Sequence, residues 1–256
     1  MLLTPRIAQN FYYSGAGQFY MGRRNPDTGR PICLHAVGNV SEATISFDIQ
    51  TDDHRSSQDC ARSVDFRNTT EISANMNLTL ESLDSDNLAL AMYGENETLA
   101  AGDTTLEVDF QEIGCWYPLE HVGLDPATPA TIAGLAEDTD FEVDYTGGLV
   151  RLIEGGAGQI GPADVEFAHP EQQRIEGLVN TTPPERFLRF VGLNTAADCT
   201  PVVIDVYRVS VGPLTNLPLI NTDIAQMPLS LGILLDPRRT QGSPYFTVRK
   251  IDVPTT

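Results

Sequence analysis

The residues best suited to chemistry in this chain are carboxylates. Asp138, Asp140, Glu142 and Asp144 sit at alternate positions, a spacing that superficially suits a calcium ion. The run lacks the glycine and the closing bidentate glutamate of an EF-hand loop, so its plainer role is a solvated strand face. Asp48, Glu107, Asp109, Glu166 and Asp205 likewise alternate with apolar residues elsewhere. His35, His54, His121 and His169 are far apart and no HExxH occurs, nor does the GxSxG elbow of hydrolases. The glycines of GGAGQIG, residues 155–161, lack the Lys-Ser/Thr of a phosphate loop and read as a flexible hairpin loop. Arg186 and Arg189 beside Phe187 and Phe190 have the composition of a base-stacking surface. However, the chain carries 35 Asp+Glu against 16 Lys+Arg, a formal charge of −19, which repels polyanions.

Cys33, Cys60, Cys115 and Cys199 are scattered without CxxC spacing, so a zinc site is not expected. Residues 1–6 hold no apolar core of signal-peptide length, which predicts reduced thiols in a protein made in a cytoplasm. No run approaches the roughly 18 apolar residues of a membrane span. The expectation is therefore a protein without catalysis, cofactor, metal or membrane contact.

The elements that position the acids come from alternation. Ala43, Ile45, Phe47 and Ile49 alternate with Thr44, Ser46, Asp48 and Gln50; Ile72, Ala74, Met76, Leu78 and Leu80 alternate with Glu71, Ser73, Asn75, Asn77 and Thr79. Each run predicts a strand with one buried and one wet face. The polar stretch between them, residues 51–70, reads as a long hairpin connection. After residue 81 the period changes. Ser82, Asp84, Ser85 and Asp86 suit a helix N-terminus, Leu88, Ala91 and Met92 follow at helical spacing, and Gly94 is the expected closing residue. The pattern predicts a helix over 85–93.

Further strands are predicted at 106–110, 141–145, 149–153, 165–167, 187–191, 202–211, 229–235 and 245–251, with a weak one at 172–179 and a short helix at 221–226. The phase slip between Val206 and Tyr207 suggests a β-bulge or a strand buried on both faces. Residues 1–30 read as an arm or edge strand. Pro126, Pro129 and Gly134 suggest a linker, which divides the chain into 1–120, a linker 121–136, and 137–256. The fold class expected is mainly β, a twisted antiparallel sandwich or barrel with short flanking helices, as one domain or a duplicated pair.

The order of features carries a resemblance. The alternating strand, the Ser/Asp-capped turn and NLALAMYG (87–94), together with FLRFVGLNTAADCTPVVIDVYRVSV (187–211) and its continuation through Leu235 and Asp236, resemble the tail tube, or major tail, proteins of long-tailed bacteriophages. The resemblance covers most of the chain. It implies a structural virion protein made in the host cytoplasm. Three or six copies would form a ring, and rings would stack into a hollow tail tube. Tape-measure and tail terminator proteins would be its other partners, and DNA would pass through without specific binding. Under that resemblance Asp48, Glu71, Glu107 and Asp109 are the candidates for an acidic lumen. Arg55, Arg62, Asp65 and Arg67 of the hairpin connection are candidates for contact with the next ring. Leu88, Ala91 and Met92 are expected to pack on a sheet or across a subunit boundary. Two rivals are a β-sandwich adhesin or carbohydrate-binding module, which would show aromatics in a groove, and a hydrolase using paired carboxylates such as Glu142 and Asp144.

Overall fold

The structure is a computed structural model and describes residues 12–58, 60–196 and 199–250. Its elements in chain order are β1 (Gly15–Arg24), β2 (Pro31–Ala36), β3 (Val40–Arg55), β4 (Val64–Leu80), α1 (Ser85–Ala91), β5 (Glu95–Leu99), β6 (Gly102–Phe110), β7 (Tyr117–Pro118) and β8 (Thr131–Ile132). They continue with β9 (Phe141–Asp144), β10 (Leu149–Leu152), a 3-10 turn (Glu154–Gln159), β11 (Gly161–His169), β12 (Gln172–Glu176), β13 (Glu185–Asn194), β14 (Thr200–Val211), β15 (Met227–Ile233) and β16 (Phe246–Lys250). The chain is mainly β, and the registered ladders are antiparallel.

The described residues up to Glu95 and from Ile175 form one compact unit; Asn96–Arg174 form a second, inserted into the first. This corrects the division expected at 121–136. That segment lies inside the second unit, where Leu124, Ala130 and Ile132 are buried and β8 pairs with β11. Its Pro and Gly residues make turns within a packed core rather than a linker.

In the first unit one sheet runs β2-β1-β13-β14-β15-β4-β3, with β16 also on β14. The path does not close on itself among the described residues. β1 is not the arm or edge expected of residues 1–30, because it is paired on both sides, by β2 and β13; residues 1–11 lie outside the described residues. One apolar face gathers Phe19 and Met21, Leu188 and Phe190, Val206, Val209 and Val211, Met227–Ile233 and Ala74–Leu80 into a single core. The phase slip in β14 is a register shift. Tyr207 and Arg208 lie between the pairs Leu188–Val206 and Arg186–Val209, so Val206 and Val209 both reach that core.

α1 forms where the capping chemistry allows it. The Asp84 carboxylate accepts the Asn87 amide at 2.8 Å, and the buried Asn87 side chain donates to the carbonyls of Val37 and Ser82. The closing residue is Tyr93, not the expected Gly94. Tyr93 has φ +54°, its amide bonds the Leu90 carbonyl, and the Gly94 amide bonds the Ala89 carbonyl at 2.7 Å, the two bonds of a Schellman motif. Tyr93 is held there because its hydroxyl donates to the Val211 carbonyl at 2.6 Å. Gly94 is required for another reason: a Cβ would collide with the Glu176 backbone. The helix expected at 221–226 does not form. Leu219, Ile220 and Ile224 are exposed, so no apolar contact offsets the cost of nucleating one turn.

The second unit builds a core of Phe110, Phe141, Val150, Leu152, Val165 and Phe167 from the sheets β6-β11-β8 and β7-β10-β9. β9 and β10 form the hairpin expected at Gly147-Gly148. Residues 155–161 are not a flexible loop. Gly155 and Gly156 sit in the 3-10 turn against the Thr139 and Asp140 backbone, with no room for a Cβ.

Candidate functional site

The β3–β4 hairpin is the feature with the clearest capacity to act on another molecule. The stretch 51–70 is a continuation of the ladder rather than a loop, which corrects the expectation. Thr51 pairs with Thr69, Asp53 with Arg67 and Arg55 with Val64, leaving the connection at 56–63. The sequence hides this extension because residues 51–55 are all polar, so that only Val64 and Phe66 on the returning strand keep a period of two. Polar cross-strand pairs supply the order. Asp53 accepts Arg67 through both oxygens, at 2.6 and 2.9 Å, and Asp65 pairs with His54 at 2.7 Å. The Arg67 guanidinium lowers the Asp53 carboxyl below its usual range, and His54 does the same for Asp65. Arg62 stands at the tip with φ +48°, and its carbonyl accepts the Arg55 guanidinium. The four inter-ring candidates, Arg55, Arg62, Asp65 and Arg67, are thus brought together and exposed at one end of the hairpin.

Closer to the sheet, the apolar face of the hairpin emerges from cover. Phe47, Ile49 and Ile72 are 59%, 58% and 55% exposed. Phe47 stacks on the ring of Phe246 at 5.7 Å, and Val248 beyond it is exposed as well. Among the described residues β3 is also the last strand of its sheet, so one side of a 16-residue strand has no neighbouring strand there. On the opposite face Glu42, Asp48 and Glu71 lie among Ser, Thr and Asn side chains.

The four lumen candidates do not share a sheet. Asp48 and Glu71 are on the hairpin, one step apart across the register. Glu107 and Asp109 are exposed on β6 of the second unit, with Asp109 accepting the Gln111 amide. The helix residues behave as a packing face. Ala91 is fully buried and Leu88 half-buried in the first core, while Met92 lines an apolar hollow of about 300 Å³ with Leu178, Leu214 and Leu217.

The carboxylates considered for chemistry serve local structure. Glu142 pairs with Arg151, Asp144 accepts the amides of Thr146 and Gly147 in the hairpin turn, and Asp140 accepts the Ala136 amide. No group of three or more His, Cys, Asp or Glu suited to a metal occurs among the described residues. Trp116 has one face covered by Arg151, 4.5 Å from the ring centre. Among the described residues no helix is long and apolar enough to cross a membrane.

The pairing that sequence reasoning missed is His121 with His169. The rings stack 3.6 Å apart and within 4° of parallel. His169 Nδ1 donates to the Pro170 carbonyl and its Nε2 lies 3.2 Å from the Thr104 hydroxyl, while His121 Nδ1 accepts the Gln172 amide. The His121 ring, an acceptor at Nδ1, is therefore held neutral. Burial, with His169 and Arg174 adding to it against Glu120, lowers the pKa of His121. Nothing in the spacing of 48 residues signals the pair; the rings meet where the segment after β7 lies against β11, the Asp125 amide bonding the Ala168 carbonyl at 3.0 Å.

A family model described as "Protein of unknown function UCP028589" matches residues 12–249. No curated protein matches the chain.

Proposed function

The chain belongs to the UCP028589 family, and we propose that it is a self-assembling structural subunit of the tail tube type. The observation that carries this reading is the outer half of the β3–β4 hairpin. A long sheet edge with Phe47, Ile49 and Ile72 uncovered on its apolar side is an aggregation hazard in a lone molecule. In a ring it becomes an interface, since strands from neighbouring copies can continue the sheet and remove its edges. Burying three such side chains favours association by several kcal/mol, at about 1.5–3 kcal/mol each for full burial. The paired charges at the hairpin's end, Arg55, Asp65 and Arg67, then lie where an axial neighbour can meet them.

In this reading rings of three or six copies stack into a tube within a virion. The polar face carrying Glu42, Asp48 and Glu71 forms the conduit wall, and its charge keeps passing DNA from adhering. Glu107 and Asp109 lie on a different sheet, in the second unit. Tape-measure and terminator proteins would be further partners, and no catalysis is involved. The test is negative-stain microscopy of the purified protein across a concentration series. Rings or hollow tubes support the reading; a monomer at every concentration removes it.

A further inference from the structure

Several registered strand pairs place ionised side chains directly opposite each other. Arg189 faces Asp205, Arg151 faces Glu142 and Arg67 faces Asp53, each joined as an ion pair. Two other pairs are alike in sign. Arg23 faces Arg186 between β1 and β13, and Glu107 faces Asp164 between β6 and β11. Like charges so placed weaken their own ladder.

Neither pair has an opposite charge paired with it among the described residues of its own unit. Arg23 and Arg186 have no carboxylate partner among the described residues, although the protein carries 35 Asp+Glu. Arg186 is half-buried and donates to the neighbouring Glu185 carbonyl, at 3.0 Å. Burial, followed by the charge of Arg23, pushes its guanidinium pKa down. Glu107 and Asp164 are exposed, with no cation partner among the described residues.

We propose that the Arg23–Arg186 pair docks on the Glu107–Asp164 pair of a second copy. Both are directly opposed residues in antiparallel ladders, with Cβ atoms about 4.5–5.5 Å apart, so two guanidinium groups match two carboxylates in spacing as well as sign. The contact relieves both frustrated ladders at once. It is a heterologous contact between different surfaces, the kind that closes rings or extends filaments. The inference rests on the chain being a self-assembling subunit. An oligonucleotide phosphate is the competing ligand for the arginines, disfavoured by the surrounding acidity.

The test is charge reversal, Arg186→Glu and Glu107→Arg, separately and combined, with self-association followed by sedimentation. Each single change puts opposite charges across its own ladder, so the melting temperature stays the same or rises. Each is expected to weaken self-association about tenfold or more, and the double variant to recover most of the loss. Wild-type assembly that is unchanged in either single variant overturns this inference alone. Loss without recovery in the double variant overturns the pairing of these two sites. Wild-type binding of a labelled duplex oligonucleotide, lost in Arg186→Glu, assigns the arginines to phosphate instead. A wild-type protein that never self-associates overturns this inference and the subunit reading together.

Discussion

Ala74, Met76, Leu78 and Leu80, at the inner end of β4, are at most 6% exposed, whereas Ile72, the next residue on the same face, is 55% exposed. The alternation of side chains is continuous across that boundary, and so is the pairing with β3. What changes is the cover. The inner half packs into a core with β13, β14, β15 and α1. β15 ends at Ile233, opposite Ala74, and the outer half has lost that neighbour. The two halves teach that alternation specifies which face seeks burial but not whether this molecule or another supplies it. An apolar face left open on a regular ladder is a surface in waiting.

The sharpest way to break the comparison is to put the same charge into each half. Leu78→Asp buries an uncompensated carboxylate and should cost more than about 4 kcal/mol, enough to leave the first unit unfolded or barely folded. Ile72→Asp should change subunit stability by less than about 0.5 kcal/mol, yet abolish assembly. Chemical denaturation and sedimentation read the two effects separately, and equal destabilisation by both changes would show that Ile72 is covered in the free subunit.

Removing the outer half is the next test. Asp48 faces Ser73, so joining them through a two-residue Asn-Gly turn closes the hairpin with the inner register intact. The shortened protein should fold with stability within about 1 kcal/mol of wild type and form no tubes. Long tubes from this variant would move the axial contact elsewhere.

Acid sharpens the comparison differently, because the core face of the inner half carries no titrating side chain. His121, stacked on His169 in the second unit, does titrate. The pKa of His121 is depressed in the folded chain, so the unfolded chain binds more protons once the pH falls below about 6.5. That contribution to stability is complete above this pH and is lost as the pH drops through the folded value. Hydrogen exchange should therefore show the β6–β11 ladder loosening toward pH 5 while the amides at Met76 and Leu78 stay protected. His121→Phe, which keeps a stacked ring but takes up no proton, should flatten that pH dependence.

The smallest expected effect concerns the cover itself. Asp84→Ala removes the cap on the Asn87 amide and should cost about 1 kcal/mol. The loss should appear as faster exchange in α1 and at the inner half of β4, without change at Ile72.

Much of this architecture could be read directly from local pattern. The inner hairpin, α1 and its Asp84 cap, the β9–β10 hairpin and the slip at Val206–Tyr207 all follow from periods and caps spanning a few residues. The misreadings have a common cause. The polar ladder of residues 51–55 lacks an apolar phase, Tyr93 takes a left-handed conformation because Val211, over a hundred residues away, accepts its hydroxyl, and segment 121–136 resembles a linker only until Ile132 meets Val165.

The sequence by itself determined the elements, their wet and dry faces and the acidic surface, because backbone propensity, side-chain alternation and charge are local properties. Only the tertiary structure decided which dry face stays open, which charges meet their like across a ladder, and that 96–174 form a separate unit. Those outcomes depend on pairing between residues far apart in the chain, such as β1 with β13 and β4 with β15. Their selection is made by the packing of the whole core and leaves no trace in any short stretch of residues.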